Sequence, residues 1–379
     1  MKLQNWEKKY YILLIFFSLI ILGWLFSLNH KSIQVSYEQA DSFISSSIKS
    51  CYEVGGSTQC LASAASDFTS QFPLELILKV FAENEYKPDF FAMCHGTLHF
   101  IGREVYKING SVAKALPQCT SVCFEACSHG VLEGYFQTNN LSSIEKICGK
   151  KENFEKPELY NQCLHGLGHG LMFITEADLP KSLKYCDSLN TQQDRDQCYG
   201  GVFMENSTSS TNKEHPSRYL KAEDSWYPCN ILEDRYLRMC YILQGFYVAQ
   251  SLQYDTLAVI ESCAGVPKKY QPSCFSAIGQ VKVGHTQDPK EVKNECYLIS
   301  DNSYIDACIE GAVGAMANRY AGNMDKIIDF CFSVTDEHKE ACYKNLGNSV
   351  RSWNGSSAEI EKECSKIKEP NYVNFCLRS

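Results

Sequence analysis

The longest uncharged apolar run in the chain stands near its start. Tyr10 to Leu28 is 19 residues without a charged side chain, and Lys2, Lys8 and Lys9 precede it. A run of that length spans a bilayer core, and basic residues on its N-terminal flank hold that flank in the cytosol. The pattern predicts a cytosolic segment 1–9, a transmembrane signal-anchor 10–28, a linker 29–44 and an extracytoplasmic region 45–379. A cleaved signal peptide would carry a shorter apolar core and a small-x-small site, for which "LFSLNHKS" is a poor match.

Beyond the anchor, few runs alternate between apolar and polar in the manner of a strand, so the chain reads as almost all α. The segment "NMDKIIDFC" forms a helix ending at Cys331, the polar "SVTDE" turns, and "HKEACYKNLGNSV" begins a second helix around Cys342. "SYIDACIEGAVGAMANRY" and "DRDQCYGGVFMEN" have the character of that second helix elsewhere.

The cysteines count out this hairpin. One set falls at 60, 94, 127, 163, 198, 240, 274, 308, 342 and 376, with gaps of 34, 33, 36, 35, 42, 34, 34, 34 and 34. A period near 34 suits a helix-turn-helix unit that stacks into a solenoid. The predicted fold is therefore an all-α solenoid of about ten disulfide-stapled hairpins after an N-terminal transmembrane helix. The one long gap, between Cys198 and Cys240, is absorbed by the polar stretch "ENSTSSTNKEHPSRY".

A second cysteine precedes most members of the first set by a short interval, which places both near one turn and within bridging distance. The spacing predicts Cys51–Cys60, Cys148–Cys163, Cys186–Cys198, Cys229–Cys240, Cys263–Cys274, Cys296–Cys308, Cys331–Cys342 and Cys364–Cys376. Closing a loop of about 12 residues contributes roughly 3 kcal/mol in the chain-entropy model. Two units break the pattern: Cys94 has no partner upstream, and "PQCTSVCFEACSHG" has one cysteine too many. Pairing Cys119 with Cys127 leaves Cys94 for Cys123, a bridge joining units two and three. Zinc ribbons are a poorer reading, because the spacing is not Cys-x2-Cys.

Composition narrows the function. All 20 cysteines can pair, and twenty cysteines in an exported chain indicate disulfides rather than free thiols. Net charge is -8 and no long basic run exists, so nucleic acid is not an expected partner. Sequons stand at Asn109, Asn140, Asn206 and Asn354. Phosphate loops, nucleophile elbows and HExxH motifs are absent.

The histidines are unevenly spread. Five of nine lie between residues 95 and 169, in three consecutive units, each just after a second-helix cysteine. Aligned on a His-Gly pair, the units read His95-Gly-x-x-His99, His129-Gly-x-x-Glu133 and His165-Gly-x-x-His169. Positions i and i+4 share a helix face, so such a pair can place two imidazoles on one metal. Equivalent helices of neighbouring units run side by side, which brings His95, His99, His129, Glu133, His165 and His169, all within 85–175, to one strip. Six such groups suit one ion with groups to spare, or two ions with about three protein ligands each. Mixed nitrogen and oxygen donors fit zinc, iron, manganese or copper. Glu104 is a weaker candidate for an outer carboxylate, and His30, His215, His285 and His338 read as surface residues.

The glycines matter too. "CLHGLGHGLMF" places Gly166, Gly168 and Gly170 inside a helix starting near Pro157, each costing about 1 kcal/mol relative to alanine. Gly166 and Gly170, beside the histidine face, are positioned to admit another backbone or a ligand. The His-Gly pair also has a plainer reading, glycine for close helix contact and histidine for a hydrogen bond to a neighbour. Three functions follow: a metal-dependent oxidative or hydrolytic enzyme, a non-enzymatic scaffold binding another protein along the solenoid surface, or metal capture and delivery at the cell surface.

Overall fold

The computed structural model describes residues 36–139, 141, 144–208, 217–286, 288–320, 322–354 and 356–379. The expected anchor 10–28, His30, Asn140 and His215 lie outside them. Among the described residues no helix is long and apolar enough to cross a membrane.

The described chain is helical throughout, apart from one isolated bridge between Lys221 and Asp224. Its first helix, α1 (Tyr37–Glu53), begins inside the segment expected to be linker, because Ser36 and Gln39 form a reciprocal capping box at its start. Helix α2 (Thr58–Gln71) completes the first hairpin. The next units are α3 (Leu74–Asn84) with α4 (Pro88–Asn109), and the short α5 (Val112–Ala115) with α6 (Val122–Thr138). Then come α7 (Ile144–Ile147) with α8 (Pro157–Ile174), and α9 (Leu179–Cys186) with α10 (Gln192–Thr208). The sixth unit has a 3-10 turn, Cys229–Ile231, before α11 (Asp234–Ser251). Four regular hairpins follow: α12 (Thr256–Ala264) with α13 (Gln271–His285), α14 (Pro289–Cys296) with α15 (Asn302–Arg319), α16 (Asp325–Ser333) with α17 (Asp336–Asn354), and α18 (Ser357–Cys364) with α19 (Pro370–Arg378).

Local chemistry sets these boundaries. Asp178, Asp255, Asp288 and Ser356 cap the first helices of their units by accepting backbone N–H bonds. Proline opens α4, α8 and α19, where a missing N–H is harmless. Disulfides join Cys51–Cys60, Cys148–Cys163, Cys186–Cys198, Cys229–Cys240, Cys263–Cys274, Cys296–Cys308, Cys331–Cys342 and Cys364–Cys376 within units. Cys94–Cys123 crosses from α4 to α6, and Cys119–Cys127 closes the third unit.

The second helices pack side by side in chain order, from α4 through α19. The row curls back on itself, so that α6 meets α15 and α8 meets α17. Arg319 of α15 closes the seam with an ion pair to Glu85 at 3.0 Å and a hydrogen bond to the Tyr86 hydroxyl. Asn161 of α8 donates to the Ser352 hydroxyl of α17 at 3.2 Å. The second helices therefore form an inner wall around a cavity of about 190 Å³.

Glycine sets how close neighbours come. A Cβ on Gly130 would lie 2.0 Å from the His99 carbonyl oxygen, and one on Gly102 would lie 2.1 Å from that of Cys127. The pair α8 and α10 repeats this: Gly201 would meet the His165 oxygen at 1.9 Å and Gly168 the Cys198 oxygen at 2.2 Å. So Gly168 admits the neighbouring backbone, whereas Gly166 and Gly170 receive the Leu132 and Phe136 side chains. Helices α13 and α15 cross in the same manner through Gly279 and Gly311, without any histidine nearby in either helix's crossing.

Candidate metal centre

The close crossings fix the register between α4 and α6 and between α8 and α10, and the histidines stand at these crossings. His95 and His99 lie one turn apart on α4, with their Nε2 atoms 3.0 Å apart. His165 and His169 on α8 repeat the arrangement, with Nε2 atoms 3.3 Å apart. His129 of α6 sits between the pairs. Its ring centroid is 5.5 Å from that of His95, 5.3 Å from His99, 5.3 Å from His165, and stacked at 3.8 Å on His169.

The outer nitrogens are all tethered. His99 Nδ1 lies 2.7 Å from Glu133 Oε1, and His169 Nδ1 lies 2.7 Å from Glu205 Oε2. His95 Nδ1 meets the Cys123 carbonyl oxygen at 2.8 Å, and the Gln197 backbone serves His165. Carboxylates and carbonyls only accept, so each Nδ1 carries a proton, and a ring that is neutral turns a bare Nε2 lone pair inward. The two Nε2 atoms of each pair then face each other at hydrogen-bond distance.

Burial reinforces the neutral state of His95, His129 and His165. His99, His129 and His169 are buried. Burial, aided by His99, pushes the His95 pKa down to about 3, and burial, aided by His169, takes His165 to about 3. His129 falls well below the ordinary histidine value, from burial and then from the surrounding rings. His99 is raised: burial opposes its charge, but the Glu133 carboxylate outweighs it. Burial likewise opposes charge on Glu133, yet His99 and Arg103 hold it down at about 2.

The structure places Glu133 differently from the expectation that it is a ligand. Its Oε1 accepts from His99 Nδ1 and its Oε2 accepts from Arg103 Nε at 2.7 Å, so it lies behind His99 rather than among the facing Nε2 atoms. Glu104 pairs instead with Lys107 at the surface. Arg103 and Glu205 were not among the sequence candidates. Glu205 lies seven residues after Cys198, whereas Glu133 lies six after Cys127, so alignment on the His-Gly pair puts Met204 in its place. His338, expected on the surface, is buried, with Nδ1 bonded to Asp306 at 2.8 Å, whereas His285 is exposed.

Two sets of three histidines converge closely enough to hold an ion: His95, His99 and His129, and His129, His165 and His169. In tetrahedral zinc with bonds of about 2.0–2.1 Å, ligand nitrogens stand roughly 3.3 Å apart, as each Nε2 pair does here to within a few tenths. A donated Nδ1–H behind each ligand is the usual way proteins orient metal-binding imidazoles.

The segment that tethers His95 is unusual. Cys123, Phe124 and Glu125 have φ of 55°, 59° and 60°, the left-handed region, at the entry to α6. Such residues cost of order 1–3 kcal/mol each and persist where their surroundings impose them. Here the bridges Cys94–Cys123 and Cys119–Cys127 grip the turn, and it delivers the Cys123 carbonyl to His95 and Glu125 to the central cavity. His165 lines the same cavity, with Glu158 and Gln197. Burial raises Glu125 to about 7, and burial with the nearby Glu125 raises Glu158 to about 8.

In comparisons with known proteins, no family matches the chain, and neither a curated protein nor a solved structure matches it significantly.

Proposed function

We propose that this protein is an extracytoplasmic metal-dependent enzyme, anchored by residues 10–28, that acts on a small molecule entering the central cavity. The observation that carries the metal reading is the approach of Nε2 atoms to 3.0 and 3.3 Å while every outer nitrogen of those four rings is tied to an acceptor. A cation between the two nitrogens of a pair satisfies both. The donor set is all imidazole, which suits zinc, copper or iron better than manganese. Three nitrogens per ion leave coordination positions for water or substrate, the arrangement of catalytic rather than structural sites. The cavity that His165 lines supports access for such a substrate, and the deep burial of the cluster argues against rapid capture and release. The ten disulfides support an oxidising compartment.

The test is to substitute cobalt(II) into the full chain and follow its visible bands as azide is added. Bands that shift on azide addition, and that fall in intensity in His165→Ala/His169→Ala, which keeps the set of His95, His99 and His129, support an open site. Bound cobalt with bands indifferent to azide overturns the enzyme reading, and protein that takes up no cobalt, zinc or copper overturns the metal reading altogether.

A further inference from the structure

His129 is the one member of the cluster without a tether. Both its Nδ1 and its Nε2 are fully buried and have no hydrogen-bond partner among the described residues. A neutral imidazole carries one donor and one acceptor, and leaving either unmade in a buried site is costly. The other four histidines show that this helix packing can supply acceptors where they are wanted. The two bare nitrogens of His129 therefore need an explanation.

We infer that His129 is a bridging imidazolate, one nitrogen bound to the ion held by His95 and His99 and the other to the ion held by His165 and His169. This rests on the metal reading above and goes beyond it, since a single ion on either three-histidine set would also satisfy that reading. Three observations carry it. The two convergent sets share His129 and nothing else. Each pair already has a two-nitrogen bite, and its rings cannot swing toward the other pair without breaking separate tethers, to Glu133 and Cys123 on one side and to Glu205 and Gln197 on the other. The His129 ring lies against all four others, between the two pairs.

The balance is simple. His129 releases its remaining ring proton to solvent, and each nitrogen lone pair enters a bond to one dication; no electron is transferred. A neutral ring could bind one ion only through its single lone pair, whereas the anion binds two and places negative charge between them. The pseudo-symmetry of the tethers, carboxylate and carbonyl for each pair, gives the two ions similar surroundings. A centre of this kind holds two metals electronically coupled through one ring.

Copper(II) loading of the full chain, read by elemental analysis and by electron paramagnetic resonance, is the experiment. The expected result is two copper ions per chain with an integrated signal well below two uncoupled spins, together with a half-field transition. In His129→Gln, where the four flanking histidines remain, the coupling is expected to vanish, so that whatever copper is retained gives a full single-ion signal. One ion per chain, or two ions with the full uncoupled signal in the unaltered protein, overturns the bridge while leaving the metal reading intact. Coupling that persists in His129→Gln overturns it as well. No copper or zinc bound at all overturns both.

Discussion

His99 Nδ1 and Glu133 Oε1, 34 residues apart in the chain, lie 2.7 Å from each other across the α4–α6 crossing. His169 and Glu205 repeat the contact across α8–α10. In each case a residue of one hairpin fixes the tautomer of a histidine in the preceding one. Glu133→Gln and Glu205→Gln keep the shape but weaken the tether. Each is expected to lower metal affinity about 10- to 100-fold with helicity unchanged. Chelator competition measures it; unaltered affinity in both variants would mean the carboxylates serve packing alone.

The crossings themselves depend on glycine. In Gly130→Ala or Gly201→Ala the new Cβ strikes a backbone carbonyl, which has no rotamer to relax into. Each is expected to lose at least 1–3 kcal/mol in denaturant unfolding, as overpacked sites do. Gly314→Ala, in α15 with open space around it, is expected to gain about 0.5–1 kcal/mol instead.

The left-handed turn at Cys123–Glu125 links covalent structure to the site. Replacing both Cys94 and Cys123 by alanine opens a 29-residue loop, for which the chain-entropy loss is roughly 3–4 kcal/mol. The Cys123 carbonyl is then free to leave His95. Zinc affinity is expected to fall in this variant by more than in one lacking Cys364–Cys376, a bridge remote from the centre. Equal affinities in the two would separate the turn from the site.

Glu125 and Glu158 predict a pH dependence of stability. Burial raises both above an ordinary carboxyl, to about 7 and about 8, so these two groups bind more protons in the folded than in the unfolded chain between roughly pH 4.5 and 8. Their contribution to stability is therefore fully present below the ordinary carboxyl range and is lost as pH rises through 7 and 8. Glu158→Gln is expected to flatten that fall and to raise Tm at pH 9, by roughly 2 °C or more, with little change at pH 4. A Tm difference between Glu158→Gln and the unaltered chain that is the same at pH 4 and at pH 9 would contradict the assignment.

The hairpin repeat was legible because cysteine spacing is a direct ruler: a bridge demands that two residues meet, and the period near 34 recurs through units of differing sequence. The i, i+4 spacing of His95/His99 and His165/His169 was legible because it survives any detail of packing. What the sequence hid depends on how two helices cross. Glu133 reads as a ligand by alignment, but the Gly130 contact slides α6 so that its carboxylate meets His99 from behind. Glu205 is one residue out of register and was invisible to the alignment. His338 looked like a surface residue, and only the stacking of α15 on α17 shows Asp306 covering it. The His-Gly pair itself divides: of its three glycines only Gly130 makes a helix crossing, Gly96 and Gly166 face the Leu61 and Leu132 side chains, and crossings also form at Gly279 and Gly311 without histidine.

The central claim is that the facing Nε2 pairs hold metal. Crystals of the chain prepared without chelators and soaked in zinc, with anomalous diffraction recorded on both sides of the zinc edge, test it most directly. The account predicts one anomalous peak between Nε2 of His95 and His99 and a second between Nε2 of His165 and His169, each within about 2.0–2.1 Å of its nitrogens. No peak at either position, with the four histidines unmoved, would contradict it.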